Sequence, residues 1–401
     1  MTHVAIVGAG QAGAALVAKL RAEGFDGALT LIGEESAPPY QRPPLSKKYL
    51  LGQMDRARLF LRPEAFYAEH DVTLVTGARV ARIDPGAKTL TLGDGRVIGW
   101  DKLALTTGTR PRLLPASMGG DLPGALPLRA LADVDVLAPL AVRGARALVV
   151  GGGYIGLEAA AVLRGLGLAV TLIEAAERIL ARVAAPETSD FYRALHARHG
   201  VDLREGAALA RLTGERHVTG ADLADGSHVA ADFALVGIGV IPNTELAEAA
   251  GLAVDNGIAV DAHGRSSHPD IVAAGDVASF PWRGRRIRLE SVQNAIDQAE
   301  NAALTLLGRP QIYDPIPWFW SDQYDVKLQI AGLSDGHDRI VTRPGARPGA
   351  QSVWYFRQGA LLAVDAMNDP RAYMTGKRWL EAGHSPDPDA LAAPNADYKT
   401  L

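Results

Sequence analysis

A chain of 401 residues is too long for one hydrophobic core, so its length predicts two or three domains. The formal net charge of −4 gives no support to a nucleic-acid-binding protein, and the absence of cysteine excludes disulfides, thiolate nucleophiles and iron–sulfur ligation by this chain. Because the sequence has no apolar run of about 18 residues and enters a strand almost at once, we expect a cytoplasmic protein without a signal peptide or a membrane partner.

The first predicted elements are a strand, a glycine-rich turn and a helix. Residues 3–7 are apolar, and Gly8, Gly10 and Gly13 follow in the spacing G-x-G-x-x-G. In this spacing the first glycine permits a tight turn, the second lets the backbone approach a pyrophosphate, and the third packs the helix against the strand. Glu34 ends the next predicted strand, where an acidic side chain would accept a ribose hydroxyl.

The same scheme returns later in the chain. Gly151, Gly153 and Gly156 follow the apolar residues 145–150, and Glu174 ends the next strand. Two such turns predict two bound dinucleotides, of which the natural pair is a flavin and a nicotinamide nucleotide. For each turn the alternative is a glycine-rich connection that binds nothing.

The acidic residue of the second turn bears on the choice of nicotinamide nucleotide. Glu174 would repel a 2′-phosphate, and no arginine follows it directly, which favours NAD over NADP. Arg178 and Arg182 lie close enough in sequence to leave NADP open.

The remaining chain alternates further strands and helices before its character changes. A hairpin is predicted at Asp94-Gly95, and proline and glycine cluster at 111–127, which suggests a crossing between domains. Antiparallel strands with a turn at Gln358-Gly359 dominate the last 90 or so residues, followed by a helical stretch at 371–382. The proline-broken residues 385–401 are predicted to form a surface tail.

These patterns predict an α/β fold with two Rossmann-like dinucleotide-binding domains, the two-dinucleotide arrangement of glutathione reductase, and a C-terminal α+β domain with an antiparallel sheet. The expected FAD-binding domain is discontinuous and comprises 1–110 and 232–312. The expected NAD-binding domain is 111–231, and the C-terminal domain is 313–401.

Several further motifs resemble one family, the FAD-dependent, NADH-using ferredoxin reductases of bacterial oxygenase and cytochrome P450 systems. The similar segments span almost the whole chain and are "YQRPPLSKKYL", "LALTTGTRPR", "IVAAGDVA", "LESVQNAIDQA" and "WFWSDQYDVKLQIAG". The resemblance implies FAD and NADH as cofactors and no metal site. It also implies an acidic, transiently bound [2Fe–2S] ferredoxin as partner, which would serve a cytochrome P450 or a dioxygenase.

The resemblance assigns roles to positions that match the family's motifs. Lys47 and Glu158 would form a pair at the reaction site, with Glu158 beside the nicotinamide and Lys47 also in contact with FAD. The implied FAD-binding positions outside the glycine turn are Arg42, Val80, Thr107, Gly108, Arg110, Gly275, Asp276, Val292 and Trp320. On the nicotinamide side the resemblance adds Tyr154 and Ile155 to the second glycine turn.

Simpler interpretations remain for several of these residues. Asp276 after a glycine could be a turn residue, and Glu158 is favourable in the first turn of a helix without any ligand. Trp320 could belong to an ordinary core. A helix that begins near Ser291 would place its N-terminus by the flavin pyrimidine edge, and Ser291 would also be a plain N-cap.

The missing cysteines decide where electrons could go. Flavoproteins of this fold that reduce disulfides or peroxide use cysteine, which this chain lacks. Two one-electron transfers to an iron–sulfur protein remain. Basic residues just before the proposed flavin helix would steer an acidic partner toward the flavin. The alternative is a basic turn that is only solvated. These residues are Arg283, Arg285, Arg286 and Arg288, with Lys377 and Arg378 further along the chain.

Three other functions are compatible with the sequence. The chain could reduce a rubredoxin or another small carrier, or it could deliver electrons to oxygen as an oxidase. It could also be an NADH-sensing flavoprotein that acts mainly by binding, as in the distantly similar apoptosis-inducing factor, although the sequence has no long basic insertion.

Overall fold

The computed structural model describes residues 2–393 and 395–401. The chain forms two compact units. One contains the chain up to Arg42, Asp55–Arg110 and Val240–Pro315, and the other contains Pro43–Met54, Pro111–Gly239 and Ile316–Leu401. The three-domain boundaries expected from the sequence stay a prediction.

The helices and strands are numbered in chain order. The α-helices are α1 Gln11–Ala22, α2 Glu64–Glu69, α3 Leu131–Leu137, α4 Tyr154–Gly165, α5 Pro186–Arg198, α6 Glu245–Ala249, α7 Val292–Leu306, α8 Pro370–Ala382 and α9 Pro388–Ala392. Short 3₁₀ turns are Pro43–Ser46, Arg56–Leu59 and Ala116–Met118. The strands are β1 His3–Val7, β2 Ala28–Ile32, β3 Val72–Val75, β4 Val80–Asp84, β5 Thr89–Leu92, β6 Val97–Gly99, β7 Lys102–Leu105, β8 Thr109–Pro111, β9 Ala125–Leu126, β10 Arg146–Val150, β11 Ala169–Glu174, β12 Asp202–Glu205, β13 Leu209–Thr213, β14 Gly220–Leu223, β15 His228–Ala230, β16 Phe233–Val236, β17 Val240–Pro242, β18 Ile258–Ala259, β19 Ile271–Ala273, β20 Ala278–Trp282, β21 Arg285–Ile287, β22 Trp318–Gln323, β23 Val326–Gly332, β24 Arg339–Pro344, β25 Gln351–Arg357 and β26 Ala360–Met367.

The first unit is built on a five-stranded parallel sheet with the order β19-β7-β1-β2-β3. Strand β1 pairs with both β2 and β7. The chain adds β2 and β3 on one side of β1 and then returns to add β7 and β19 on the other side. Helices α1 and α7 pack together over a core that includes Leu16, Val17 and Ala299. Ligands of such sheets bind at the carboxyl ends of the strands beside the reversal, so the turn after β1 occupies the expected place.

The second unit contains a parallel sheet with the order β9-β16-β10-β11-β12, in which the last four strands repeat the arrangement of β7-β1-β2-β3 and the edge strand β9 differs by preceding them in the chain. Here β10 takes the place that β1 takes in the first unit, because it pairs with both β11 and β16. The repeated glycine turn of the sequence therefore corresponds to a repeated arrangement of four parallel strands. Among the described residues, no helix is long and apolar enough to cross a bilayer.

A second sheet of this unit is antiparallel, with the order β22-β23-β26-β25-β24. Helix α8 packs on it over a core that includes Trp354, Val364 and Trp379. The predicted turn between β25 and β26 is confirmed, with Gln358 at φ +50° and Gly359 at φ +80°. Both residues adopt the left-handed conformation that a two-residue hairpin turn of type I′ requires.

The prediction of a surface tail at 385–401 is corrected in part, because most of its described residues are exposed but a few are buried anchors. The segment contains α9, in which Leu391 is fully buried, and the Tyr398 ring lies 5.5 Å from that of Trp354. Arg343 fixes the segment by donating from Nη1 to the carbonyl oxygen of Leu391 at 2.5 Å. Single apolar residues among the prolines and polar residues of this segment therefore pack against the rest of the unit.

Asp365 connects the antiparallel sheet to helix α5 inside the second unit. This residue is 1% exposed, and its carboxylate accepts hydrogen bonds from Tyr355 Oη and from Thr188 Oγ1, the latter at 2.8 Å. Tyr355 Oη in turn accepts from the backbone N–H of Ala185 at 3.0 Å. Burial raises the pKa of Asp365 to about 6, against the opposing effect of the two hydroxyl donors.

Replacement of Asp365 by asparagine tests this buried charge. The pKa of Asp365 is about 6 in the folded protein and 3.8 in the unfolded chain, so the folded state binds the proton more tightly. The protonated carboxyl therefore contributes its full stabilisation below pH 3.8, and this stabilisation is lost as the pH rises through 6. At pH 8 the charged form costs at most roughly 3 kcal/mol. Asparagine is neutral and keeps an oxygen for the two hydroxyls. We expect the midpoint of thermal unfolding of Asp365→Asn to rise relative to wild type between pH 5 and pH 8.

The control for this amide substitution is Asp121→Asn, at an exposed position of the same unit. A constant difference between Asp365→Asn and wild type across this pH range would contradict the assignment.

Candidate cofactor-binding sites

The first glycine turn requires glycine at two positions for steric reasons. Gly8 has φ +116°, and a Cβ atom there would lie 2.2 Å from the carbonyl oxygen of Thr106. A Cβ atom on Gly13 would lie 2.1 Å from the carbonyl oxygen of Gly8. At Gly10, by contrast, no heavy atom of the described chain lies within 4 Å of the Cβ position. The first and third glycines allow close packing against backbone carbonyl oxygens, and the second leaves space for a ligand to approach the backbone.

Helix α1 begins at this open position. Gly10 is the N-cap, and among the described residues no side chain caps the first turn. Free N–H groups and the positive end of the helix dipole suit an anion such as a pyrophosphate. The turn therefore fits the phosphates of a dinucleotide, and its assignment to FAD stays a prediction. Thr106, which the sequence analysis missed, supports the turn by donating from Oγ1 to the carbonyl oxygen of Gly8 at 2.8 Å.

The two acidic residues predicted beside this turn differ in environment. The side chain of Glu34 is 72% exposed and lies 3.8 Å from Arg79, so it is available to a ribose. Asp276 follows Gly275, whose Cβ position lies 3.0 Å from the Cβ of Ala12 in α1. The structure thus brings the Gly-Asp pair next to the first turn of α1, and the contact of Asp276 with FAD stays a prediction.

Arg42 is held on the FAD side by a short hydrogen-bonded cluster. Its Nη2 lies 2.6 Å from Glu35 Oε1, and its Nη1 donates to Tyr40 Oη at 3.1 Å. Tyr40 Oη donates to the other carboxylate oxygen of Glu35 at 2.5 Å. The predicted role of Arg42 in FAD binding is compatible with this fixed position and stays a prediction.

Thr107, Gly108 and Arg110 are organised by Asn243, another residue that the sequence analysis missed. Thr107 Oγ1 donates to the backbone carbonyl oxygen of Asn243 at 2.8 Å. The side-chain Nδ2 of Asn243 donates to the backbone carbonyl oxygen of Thr107, also at 2.8 Å. Arg110 Nη1 donates to Asn243 Oδ1 at 2.8 Å and Nη2 pairs with Glu245 at 2.6 Å. The cluster fixes the backbone at Gly108, where φ is +63°.

The predicted start of the flavin-side helix is confirmed. Helix α7 begins at Val292, and its N-cap Ser291 accepts a hydrogen bond at Oγ from the N–H of Asn294 at 3.1 Å. The capped N–H is that of the third helical residue, so the N–H of Val292 is compatible with a ligand. Val80 is the first residue of β4 and is buried; its contact with FAD stays a prediction.

The second glycine turn repeats the steric pattern of the first. Gly151 has φ +109°, with a Cβ position 2.4 Å from the carbonyl oxygen of Gly237, and the Cβ position of Gly156 is 2.0 Å from the carbonyl oxygen of Gly151. Gly153 again has open space within 4 Å in the described chain, and it is the N-cap of α4 with no side-chain cap among those residues. This turn fits a second pyrophosphate, and its assignment to NAD stays a prediction.

Glu174 is held in place beside this second turn. Its Oε2 accepts from the N–H of Gly152 at 2.6 Å and its Oε1 from the N–H of Ala176 at 2.8 Å. Each oxygen keeps a lone pair for a ribose hydroxyl. Arg178, which could have favoured a 2′-phosphate, donates instead to Ser189 Oγ at 2.7 Å, whereas Arg182 is exposed.

The expected pair of Lys47 and Glu158 forms inside the second unit. Lys47 Nζ lies 2.5 Å from Glu158 Oε2. Glu158 is 5% exposed and also accepts from Ser46 Oγ at 3.0 Å and from Ser321 Oγ at 2.8 Å. The carboxylate therefore receives a cation and two hydroxyls from two separate segments of the chain, which compensates for its burial.

The sequence analysis missed both serines, although each is next in sequence to a residue that the family resemblance had singled out. Ser46 directly precedes Lys47, and Ser321 directly follows Trp320, both of which the family resemblance had singled out. Serine alone carries no pattern that would have indicated a buried carboxylate as its partner.

Aromatic and apolar residues line the start of α4. The Tyr154 ring lies 4.8 Å from that of Phe319, and the neighbouring Trp320 ring lies 5.7 Å from that of Trp318. Ile155 is 43% exposed in the first turn of α4, and its contact with NAD stays a prediction. The contacts of Lys47 and Trp320 with FAD stay predictions.

The four arginines of the predicted basic turn differ in their surroundings. Arg288 is 10% exposed and pairs with Glu290, and Arg286 donates from Nη1 to the carbonyl oxygen of Val260 at 3.0 Å. Arg283 and Arg285 are exposed and lie over the Trp282 ring at 4.9 and 5.7 Å. Arg286 is exposed as well, so three of the four arginines reach the surface, and the docking role of the turn stays a prediction. In the other unit Lys377 pairs with Glu381 at 3.0 Å, and Arg378 is exposed.

Comparison with known proteins places these features in a family. Residues 2–299 match the family described as pyridine nucleotide-disulphide oxidoreductase, and residues 318–401 match one described as reductase C-terminal. A ferredoxin reductase subunit of 5,5'-dehydrodivanillate O-demethylase from Sphingobium is 42% identical, covering 99% of this chain and 97% of its own.

Two solved structures are similar over nearly the full chain. Putidaredoxin reductase in its covalent complex with putidaredoxin has a TM-score of 0.95 and 40% identity, over 99% of this chain and 97% of its own. The ferredoxin reductase of the CYP199A2 system from Rhodopseudomonas palustris has a TM-score of 0.96 and 39% identity, over 100% and 99%. The predicted fold class, with two dinucleotide-binding folds and a C-terminal antiparallel sheet, is confirmed.

A pair of alanine substitutions separates the two roles of glycine in the second turn. Gly153→Ala adds a methyl group where the described chain leaves space, so the protein should fold normally and lose at least tenfold in NAD⁺ affinity. Gly156→Ala places a methyl group against a backbone carbonyl and should destabilise the fold by about 1–3 kcal/mol. Calorimetric titration and thermal unfolding measure the two effects. Unchanged NAD⁺ affinity in Gly153→Ala would contradict the proposed approach of the ligand.

Proposed function

Because the chain belongs to the ferredoxin reductases of the pyridine nucleotide-disulphide oxidoreductase family, which use FAD and a nicotinamide nucleotide, we propose that it transfers electrons from NADH to a [2Fe–2S] ferredoxin. That ferredoxin would in turn serve a cytochrome P450 or a ring-hydroxylating oxygenase. A cytoplasmic location is part of the proposal.

One observation carries the choice of acceptor: a chain with two dinucleotide turns contains no cysteine. Electrons that arrive from NADH therefore cannot pass to a thiol pair of this protein, as they would in a disulfide reductase. They must leave to an external acceptor. The names of similar proteins, among them the putidaredoxin reductase–putidaredoxin complex, support a ferredoxin in that role.

The overall reaction is NADH + 2 oxidised ferredoxin → NAD⁺ + 2 reduced ferredoxin + H⁺. When bound, FAD supplies the conversion of a two-electron hydride donor into two single electrons. The residues of this chain supply binding and orientation. In the proposal Glu174 holds the NAD ribose, the first turn of α4 binds its pyrophosphate, and Glu158 with Lys47 orients the nicotinamide.

On the FAD side the proposal assigns charge stabilisation to the start of α7. Ser291 caps this helix and leaves the N–H of Val292 to a ligand, and the positive helix end would stabilise negative charge on the flavin pyrimidine edge. Glu34, with its exposed carboxylate, would bind the FAD ribose.

The acceptor surface is proposed at the hairpin between β20 and β21. Arg283 and Arg285 project two exposed cations beside the Trp282 ring, and Arg283 adopts φ +45°, a conformation uncommon for a residue other than glycine. Such a fixed basic turn would attract an acidic ferredoxin and orient its approach.

The first experiment is spectroscopic. The purified protein should show the absorption of oxidised flavin, and one equivalent of NADH should bleach it without oxygen. Addition of an oxidised [2Fe–2S] ferredoxin should restore the flavin absorption within the turnover time. A colourless protein, or a yellow one that NADH does not bleach, would refute the proposal.

The same reduced protein distinguishes the other acceptors. Faster reoxidation by a rubredoxin than by any [2Fe–2S] ferredoxin would identify a rubredoxin reductase. Rapid oxygen consumption without a carrier would identify an oxidase, and a long-lived reduced complex with every acceptor would favour a binding role.

Charge reversal tests the acceptor surface. The double variant Arg283→Glu/Arg285→Glu should raise the KM for ferredoxin by at least tenfold at low salt, because the encounter loses its electrostatic attraction. NADH-to-ferricyanide turnover should not change. Arg56→Glu/Arg58→Glu, a reversal at two other exposed arginines of the same unit, is the matched control. A ferredoxin KM equal to that of wild type would place the partner elsewhere.

A further inference from the structure

A chain of buried side-chain hydrogen bonds runs from Glu158 to helix α5 inside the second unit. Ser321 Oγ donates to Glu158 Oε1 at 2.8 Å, and Gln323 Nε2 donates to Ser321 Oγ at 3.2 Å. Gln323 Oε1 lies 2.8 Å from His196 Nε2. Glu158 is 5% exposed, and the other three residues are fully buried.

The chemistry of the carboxylate fixes the direction of every bond in this chain. An ionised Glu158 can only accept, so the one hydroxyl proton of Ser321 points to it. Ser321 then needs a donor on its other side, which orients the Gln323 amide with Nε2 toward the serine. The remaining Gln323 oxygen can only accept, so His196 carries its proton on Nε2.

The environment of His196 agrees with this assignment. Burial lowers the pKa of His196 to about 4, so the ring is neutral at neutral pH and has one proton to donate. Its Nδ1 is then an acceptor, and Tyr324 Oη lies 3.4 Å from it. The charge of His199 also lowers the pKa of His196, and the His199 ring stacks on that of Tyr324 at 3.6 Å.

Tyr324 also carries backbone strain. It occupies φ +55° in the turn between β22 and β23, a conformation that a bulky side chain rarely adopts. The ring contacts of Tyr324 with His196 and His199 hold the turn against α5. These contacts stabilise the strained backbone conformation of Tyr324.

We propose that Ser321, Gln323 and His196 are positioning residues that hold the Glu158 carboxylate in its reactive orientation. Because all donors point the same way in a water-poor interior, each bond polarises the next and strengthens the last one, to Glu158. The inference rests on the proposed function, in which Glu158 orients the nicotinamide. Strand β22 of the C-terminal sheet is then part of the nicotinamide site.

Removal of the last donor tests the inference in the holoenzyme. Ser321→Ala should slow the limiting rate of anaerobic flavin reduction by NADH roughly tenfold, the equivalent of one hydrogen bond to a charged group, with NADH affinity nearly unchanged. Ser321→Thr restores the hydroxyl and should recover most of the rate. An unchanged rate in Ser321→Ala, or no recovery in a folded Ser321→Thr, would overturn the proposal.

A matched control removes a different serine from the same sheet. Ser352 is fully buried and accepts a hydrogen bond from Trp354 Nε1 at 3.0 Å, outside the chain that ends at Glu158. Ser352→Ala should leave the rate of flavin reduction within twofold of wild type. If Ser321→Ala does not fold, Gln323→Met, which removes the donor to Ser321 at similar volume, carries the test with the same expected direction.

A second measurement does not depend on activity. Ring-¹⁵N-labelled histidine in the holoenzyme should show His196 as the neutral Nε2–H tautomer at pH 7, with the signal identified by its loss in His196→Gln. A charged ring or the Nδ1–H tautomer would overturn the proposed direction of the chain.

Glu158→Gln separates this inference from the proposed function. If Glu158→Gln reduces flavin at the wild-type rate, the role of Glu158 in the proposed function is wrong, and the inference falls with it. If Glu158→Gln is slow but Ser321→Ala and Gln323→Met are not, the proposed function stands and the positioning chain is refuted.

Discussion

The absence of a Cβ atom at four positions is the constraint on which both binding turns depend. At Gly8, Gly13, Gly151 and Gly156 an added Cβ would lie 2.0–2.4 Å from a backbone carbonyl oxygen, so any other residue would force the strand and helix apart. The middle glycine of each turn is under no such restraint and leaves the helix N-terminus open. Packing and ligand approach are thus assigned to different glycines of one short motif.

Two buried carboxylates of the second unit show how partners determine the cost of a buried charge. Glu158 receives the Lys47 ammonium as well as two hydroxyls. Asp365 receives hydroxyls from Tyr355 and Thr188, and no ion pair to it occurs in the described chain. Hydroxyls alone do not offset desolvation, which is why the pKa of Asp365 is raised to about 6. At Glu158 the Lys47 ammonium is an additional partner that compensates for burial.

The sequence predicted those features that repeat or follow a steric rule. Both glycine turns, their following helices, the cap at Ser291 and the Gln358-Gly359 hairpin depend on local geometry that short motifs encode. The packing of the tail was not predictable in this way, because Leu391 and Tyr398 are single apolar residues without periodicity. Ser46, Ser321 and Asn243 were missed for a related reason: a lone hydroxyl or amide acquires its role from a partner distant in sequence.

Glu158 also connects the two regions that match separate families. The residue lies in the region 2–299, whereas Ser321 lies in 318–401. Without Ser321 the carboxylate would lose a donor that the first region does not replace, and a buried acceptor left short of partners is costly. The C-terminal sheet therefore contributes to the electrostatics of the site as well as to its support. A ferredoxin reductase assembled from one protein's dinucleotide-binding region and another's C-terminal region would need a hydroxyl at this position to keep Glu158 compensated.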